Sequence, residues 1–200
     1  MKIYILRHED RTLDATFFSP LTSKGLSQSI NLIKILEKYK INKIYSSPFI
    51  RTLQTVYPYA KLKKISINID YSLSEIQSPF IIPKKSYQIT LPQYIAESFN
   101  CSEKYKSLIM PKNYTFPESE CNVSSRVRHF LNYLLTNKIE SANIYLIVTH
   151  QVVCNQILKV ATKKKNENIK SSYNYPKGGL TLVFDKDEWL FEPINWEKNE

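Results

Sequence analysis

Short apolar runs alternate along most of the chain with longer stretches whose apolar residues recur at helical spacing. Residues 2–6 (KIYIL) are continuously apolar after Lys2 and predict a buried strand. After a polar loop over residues 11–20, Thr22 opens a predicted helix that runs to about Tyr39. Leu26, Ile30, Ile33 and Leu36 mark its apolar spacing. Residues 41–45 predict a second strand. Ser46, Ser47 and Pro48 then signal a helix start, with the helix itself over residues 49–59. Residues 65–69 alternate apolar with polar and predict a third strand. A helix over 118–135 carries Val123, Val127, Phe130, Leu131 and Leu134, and residues 144–148 (IYLIV) give the strongest buried-strand signal. A helix over 152–162 and a pair of strands at 180–184 and 189–194 complete the pattern.

Strands alternating with helices imply an α/β fold, a three-layer α/β/α sandwich around a mainly parallel sheet. The pattern weakens between residues 77 and 117, where Pro79, Pro83, Pro92, Pro111 and Pro117 interrupt short apolar groups. This stretch reads as an inserted, partly helical lid within a single domain spanning residues 1–200. Its aromatic residues, Phe80, Tyr87, Tyr94, Phe99, Tyr105, Tyr114 and Phe116, are expected to pack a small local core. The 200-residue length suits one such domain.

Composition narrows the function only slightly. The net charge of +10 attracts anions of any kind, but the lysines are spread over 34–43, 61–64, 84–85 and 163–165. A solvated lysine-rich surface accounts for them, and Lys163–Lys165 suit the end of the preceding helix. Cys101, Cys121 and Cys154 form no CxxC, which points to a reducing compartment and a cytoplasmic protein. No leader peptide is apparent, and no apolar run approaches the ~18 residues that cross a bilayer.

The chemistry concentrates at strand ends. His8 follows the first strand and His150 follows the IYLIV strand, where α/β folds bind ligands. Arg7 precedes His8, and Arg51 lies on the first turn after Ser46, Ser47 and Pro48. Two guanidiniums, always charged and shaped to fit phosphate oxygens, beside a pair of histidines suggest a phosphate clamp. His129, mid-helix and far from both strand ends, reads as a surface residue. Glu118 and Glu120 read as acids favouring a helix N-terminus.

Leu6, Arg7 and His8 followed by residues 20–28 (PLTSKGLSQ) resemble the histidine phosphatase superfamily, branch 1, which includes the cofactor-dependent phosphoglycerate mutases. The run 44–55 (IYSSPFIRTLQT), Leu73–Ile76, Pro117–Ser119 with Arg126, Val148–His150 and Gly179–Thr181 follow in the family's order. The resemblance implies that His8 attacks phosphorus and carries a phosphohistidine. It implies that Arg7, Arg51 and His150 hold the phosphoryl oxygens, with a cationic His150 as a third positive charge. Glu75 is then the acid that protonates the leaving oxygen, and neither metal nor cofactor takes part. The expected partner is a small phosphorylated substrate or a phosphoprotein, with no membrane involved.

The chain departs from the family at several points. Glu9 stands where a glycine usually follows the nucleophile, Asp14 where mutases carry asparagine, and Gln151 where glycine follows the second histidine. The absence of aspartate at 151 disfavours the acid-phosphatase and phytase branch. Glu9 or Asp10 is the fallback acid. A phosphomonoesterase is the first reading. A phosphoglycerate mutase-like phosphotransferase and a phosphate-binding module with weakened catalysis follow, and nucleic-acid binding ranks last.

Overall fold

The computed structural model describes residues 1–81, 88–136, 143–163 and 173–194, without the side chains of 161–163. Six strands form one sheet in the order β3-β2-β4-β1-β5-β6. They are β1 (Lys2–Arg7), β2 (Lys43–Ser46), β3 (Ile67–Ile69), β4 (Ile144–Thr149), β5 (Leu180–Asp185) and β6 (Glu188–Ile194). The first four are mutually parallel. The fifth is antiparallel to β1 and returns into the sixth as a hairpin. Lys186 and Asp187, both at positive φ, make its turn.

The helices are α1 (Ser23–Leu36), α2 (Ile50–Lys63), α3 (Gln93–Ser98), α4 (Glu120–Thr136) and α5 (Gln151–Lys163). Strand side chains divide by alternation. Ile3, Ile5, Tyr145 and Ile147 pack with Val127, Phe130 and Ile157 of α4 and α5. Tyr4, Leu6, Leu146 and Val148 pack with Leu32, Leu36, Leu53 and Val56 of α1 and α2. With both sheet faces covered, the central strands need apolar residues at every position, which is why KIYIL and IYLIV are unbroken. This is the expected α/β sandwich. No helix of the described residues is long and apolar enough to cross a membrane.

Two elements differ from expectation. Only half of the apolar spacing of α1 marks the buried face: Leu36 is buried and Ile33 packs on the core, but Leu26 and Ile30 are 43% and 60% exposed, while Gly25, Ser29 and Leu32 are buried. Close packing decides this, because a Cβ on Gly25 would lie 2.1 Å from the Asp10 carbonyl oxygen. Helix α2 starts at Ile50, two residues beyond Pro48. Lys163 ends α5, and its side chain, like Lys164, Lys165 and Tyr87, lies outside the described residues.

The stretch after β3 is tied down rather than loose. Asn100 O and Ser102 N pair with Ile67, extending the sheet past β3. Tyr105 Oη donates to Asp70 Oδ2 at 2.5 Å, and Tyr114 Oη bonds Tyr71 O and Ser74 Oγ at 2.7 Å each. Packing is uneven among its aromatics, since Phe80 and Tyr94 are 96% and 72% exposed, contrary to the expected local core. Glu118 is also not a solvated helix-end acid. It is buried and grips Arg126 through two contacts, Nε to Oε1 at 2.9 Å and Nη2 to Oε2 at 3.0 Å.

Candidate active site

Parallel pairing of β1 with β4 sets Arg7 opposite Thr149, so the next residues, His8 and His150, leave the sheet side by side. Their ring centroids are 5.2 Å apart. One place further along the sheet, β2 ends at Ser46, and Ser47 Oγ lies 2.8 Å from His150 Nε2. Register therefore delivers both imidazoles and a hydroxyl to one rim.

His8 is buried, and its Nδ1 lies 2.7 Å from the Glu9 carbonyl oxygen. A carbonyl can only accept, so Nδ1 carries the proton and Nε2 is left with a free lone pair. Burial above all, then the charges of Arg51 and Arg7, lower the His8 pKa to about 3. At neutral pH the ring is uncharged.

Arg51 is completely buried and stacks 4.5 Å over the Phe49 ring. Its Nη1 donates to Thr16 O at 2.7 Å. Burial lowers its pKa to about 10, which leaves it cationic at neutral pH. Arg7 Nη1 donates to Tyr175 O at 2.5 Å, anchoring the segment before β5. In each arginine Nε is buried without a hydrogen-bond partner, and so is His150 Nδ1. A buried unpaired donor costs about 1–3 kcal/mol. The two guanidinium donors, together with the unpaired His150 ring nitrogen, lie about His8 where an anion could be received.

His150 is fully buried, and burial followed by Arg51 and His8 drives its pKa well below the usual histidine value. It is neutral here, unlike the third cation expected from the sequence. Its Nδ1 faces Glu75 Oε2 at 3.6 Å. Burial raises the Glu75 pKa, which favours the protonated acid. Arg126 donates to the Ser72 and Glu75 carbonyls at 2.6 and 3.3 Å and so fixes the backbone carrying Glu75. Arg7, His8, Arg51, Glu75 and His150 are thus brought together.

The fallback acids are turned elsewhere. Asp10 is paired with Lys177 and accepts from Thr22 Oγ1 at 2.8 Å, which keeps its carboxyl ionised. Glu9 is fully buried, with its carboxylate against Gly178. A Cβ there would lie 1.8 Å from Glu9 Oε1, and the φ of +65° also demands glycine. Gln151 donates to Tyr173 O at 2.6 Å, holding the same segment that Arg7 grips. Sequence reasoning missed Ser47 as the partner of His150 and Arg126 as a support for Glu75. Both lie inside the motifs, but contacts between distant segments leave no local signal.

The layout is that of an α/β protein with two histidines side by side at the ends of neighbouring strands. A profile of the histidine phosphatase superfamily (branch 1) matches residues 4–197. Among solved structures, an ecdysone phosphate phosphatase from Bombix mori superposes with a TM-score of 0.75 at 13% identity. It covers 100% of this chain and 96% of that one. A mycobacterial glucosyl-3-phosphoglycerate phosphatase gives 0.70 at 16%, covering 98% and 99%. Bacillus stearothermophilus YhfR gives 0.66 at 20%, covering 95% and 94%. At these identities the likeness is one of fold. No curated protein matched in a sequence search. The chain belongs to the histidine phosphatase superfamily, branch 1, and phosphatase activity is the function that membership assigns.

Proposed function

We propose that the chain hydrolyses a phosphomonoester through a phosphohistidine on His8 Nε2. The observation that carries this reading is the neutral, tautomer-fixed His8 beside buried, unpaired guanidinium donors on Arg7 and Arg51 and the His150 ring. His8 attacks phosphorus in line while Arg7 and Arg51 take up the charge on the equatorial oxygens. Arrival of a dianion beside His150 favours its protonated form, so the third positive charge is acquired with substrate. Glu75 donates a proton to the leaving oxygen, then accepts one from the water that hydrolyses the phosphohistidine. The guanidiniums supply the charge that a metal supplies elsewhere, so EDTA leaves turnover unchanged.

Proteins of the same fold have been solved with tungstate and with VO3, which supports an oxyanion pocket here. The free cysteines support a cytoplasmic setting. Residues 77–117 act as a lid within the single domain: Ile81, Ile89 and Leu91 pack on Phe17 and Phe49 next to His150. The test is para-nitrophenyl phosphate turnover with EDTA present. His8→Ala is expected to lose at least ~10³-fold in kcat and to leave no acid-labile phosphohistidine. Equal phosphate release by wild type and variant would end the proposal.

A further inference from the structure

Resting on the phosphatase reading, we infer that Arg11 determines specificity by pairing with a second anionic group on the substrate. That group, a carboxylate or a further phosphate, sits on the body that carries the scissile phosphate. The backbone holds Arg11 firmly, three residues beyond the nucleophile. Arg11 faces Leu21 in an antiparallel bridge, with Thr22 N donating to Asp10 O and Thr12 N to Pro20 O, each at 3.0 Å. Leu21 N in turn donates at 2.7 Å to Oε1 of Gln54, which lies on α2 one turn after Arg51. Arg51 Nη1 donates to Thr16 O in the same loop. The loop between β1 and α1 is thus fastened to the helix that supplies half of the clamp.

The Arg11 guanidinium lies beside that clamp. Burial is the main cause of the lowered pKa values of Arg7, His8, Arg51 and His150, and the Arg11 charge lowers each of the four further. A charge is felt over roughly 8–10 Å at physiological salt, so a group that reaches all four stands next to them. Arg51 and both histidines are buried, whereas Arg11 is half-buried and meets water on the solvent side of them.

This cation has no carboxylate of its own. No ion pair of Arg11 occurs among the described residues, and its Nη1 donates at 2.6 Å to a neutral acceptor, Thr12 O. The acids near it in sequence are committed elsewhere. The Glu9 carboxylate lies against Gly178, and Asp10 pairs with Lys177 and accepts from Thr22. Asp14, which is exposed, accepts from Thr12 Oγ1 at 2.6 Å. Glu75 is buried, and its raised pKa favours the neutral form. A third guanidinium is therefore kept near two others without compensation, an arrangement of like charges that an anion relieves. The scissile phosphoryl meets Arg7 and Arg51 further in, which leaves Arg11 for a different group on the same molecule.

The experiment compares 4-carboxyphenyl phosphate with 4-carbamoylphenyl phosphate, esters of the same shape that differ by one charge, in wild type and in Arg11→Gln. The substitution should lower kcat/KM for the carboxylate about five- to tenfold more than for the carboxamide. Taking the loss relative to wild type cancels any difference in intrinsic reactivity between the esters. Arg11→Lys keeps the charge without the planar fork and should fall between the two proteins. A third ester, 1,4-phenylene bisphosphate, separates the two anions, since a selective loss with either charged ester supports the inference and names the group. Matching urea midpoints of wild type and variant exclude unfolding as the cause of a loss. Equal losses on charged and neutral esters would put Arg11 on the scissile phosphoryl and overturn the inference alone. No loss on any of them would make Arg11 a solvated surface residue and equally overturn it. Release from none of the esters by wild type would take down the phosphatase reading as well.

Discussion

His8 is an acid-sensitive residue in the folded state. Its pKa falls from an ordinary 6.5 to about 3, chiefly through burial. Between those values the unfolded chain binds a proton that the folded protein refuses. The stabilisation is complete above pH 6.5 and drains away as pH falls, by about 1.4 kcal/mol per unit for one full proton. His150 shifts in the same direction and steepens the loss. Glu75 shifts upward, so it opposes the trend above its ordinary 4.5. Urea midpoints at pH 7.5 and 5.5 should show wild type less stable at the lower pH, and His8→Asn should shrink the difference by about 1 kcal/mol. An unchanged difference would mean that His8 is not held neutral by the fold. A second residue-scale expectation concerns Gly178. Gly178→Ala should cost about 1–3 kcal/mol, from the positive φ and the clash with Glu9. In a Glu9→Ala background the steric part should vanish, and a double-mutant cycle without coupling would refute the contact. Of the site residues, Arg7, His8, Arg51, Glu75 and His150 were legible from motif and strand-end position. The neutrality of His150 was not, because it depends on burial produced by segments remote in sequence.

At the scale of elements, the Glu118–Arg126 pair closes the insertion. Glu118 N donates to Gln77 O at 2.8 Å, and Glu118 Oε2 accepts from Gln77 N at 2.9 Å, so the point of departure and the point of return are fastened together. Arg126 links that fastening to the backbone of Glu75. Arg126→Ala strands a buried carboxylate and should cost about 3–5 kcal/mol in urea unfolding. If Glu75 is the proton donor as proposed, the variant should also lower kcat more than it raises KM, because the backbone of Glu75 loses its support. A pure stability loss with unaltered kcat at a temperature where the variant is folded would refute the second part. The strands and main helices were readable, since a both-sided buried strand and an amphipathic helix carry their periodicity locally. The α1 face was not readable, because Gly25 and Ser29 are buried by the close approach of Asp10, and small residues leave no hydrophobic signal. The ties from Tyr105 and Tyr114 to Asp70, Tyr71 and Ser74 were likewise hidden, being hydrogen bonds rather than apolar repeats.

For the molecule as a whole, the decisive feature is the position of β4 between β2 and β1. Those earlier strands do not pair with each other; each bonds to β4 instead. A chain cut after Thr136 would therefore leave both with open edges and lose one wall of each core. It should show no cooperative urea transition, and persistent amide protection in β1 of that fragment would contradict the expectation. The same arrangement has a meaning for biosynthesis. During translation β1 and His8 emerge well before β4, so the slot beside them stays unfilled until that strand has been made. Until then a nascent chain carries the His8 imidazole without the power to capture an ester. The site is completed late, when β4 and then the segment leading into β5 close on β1.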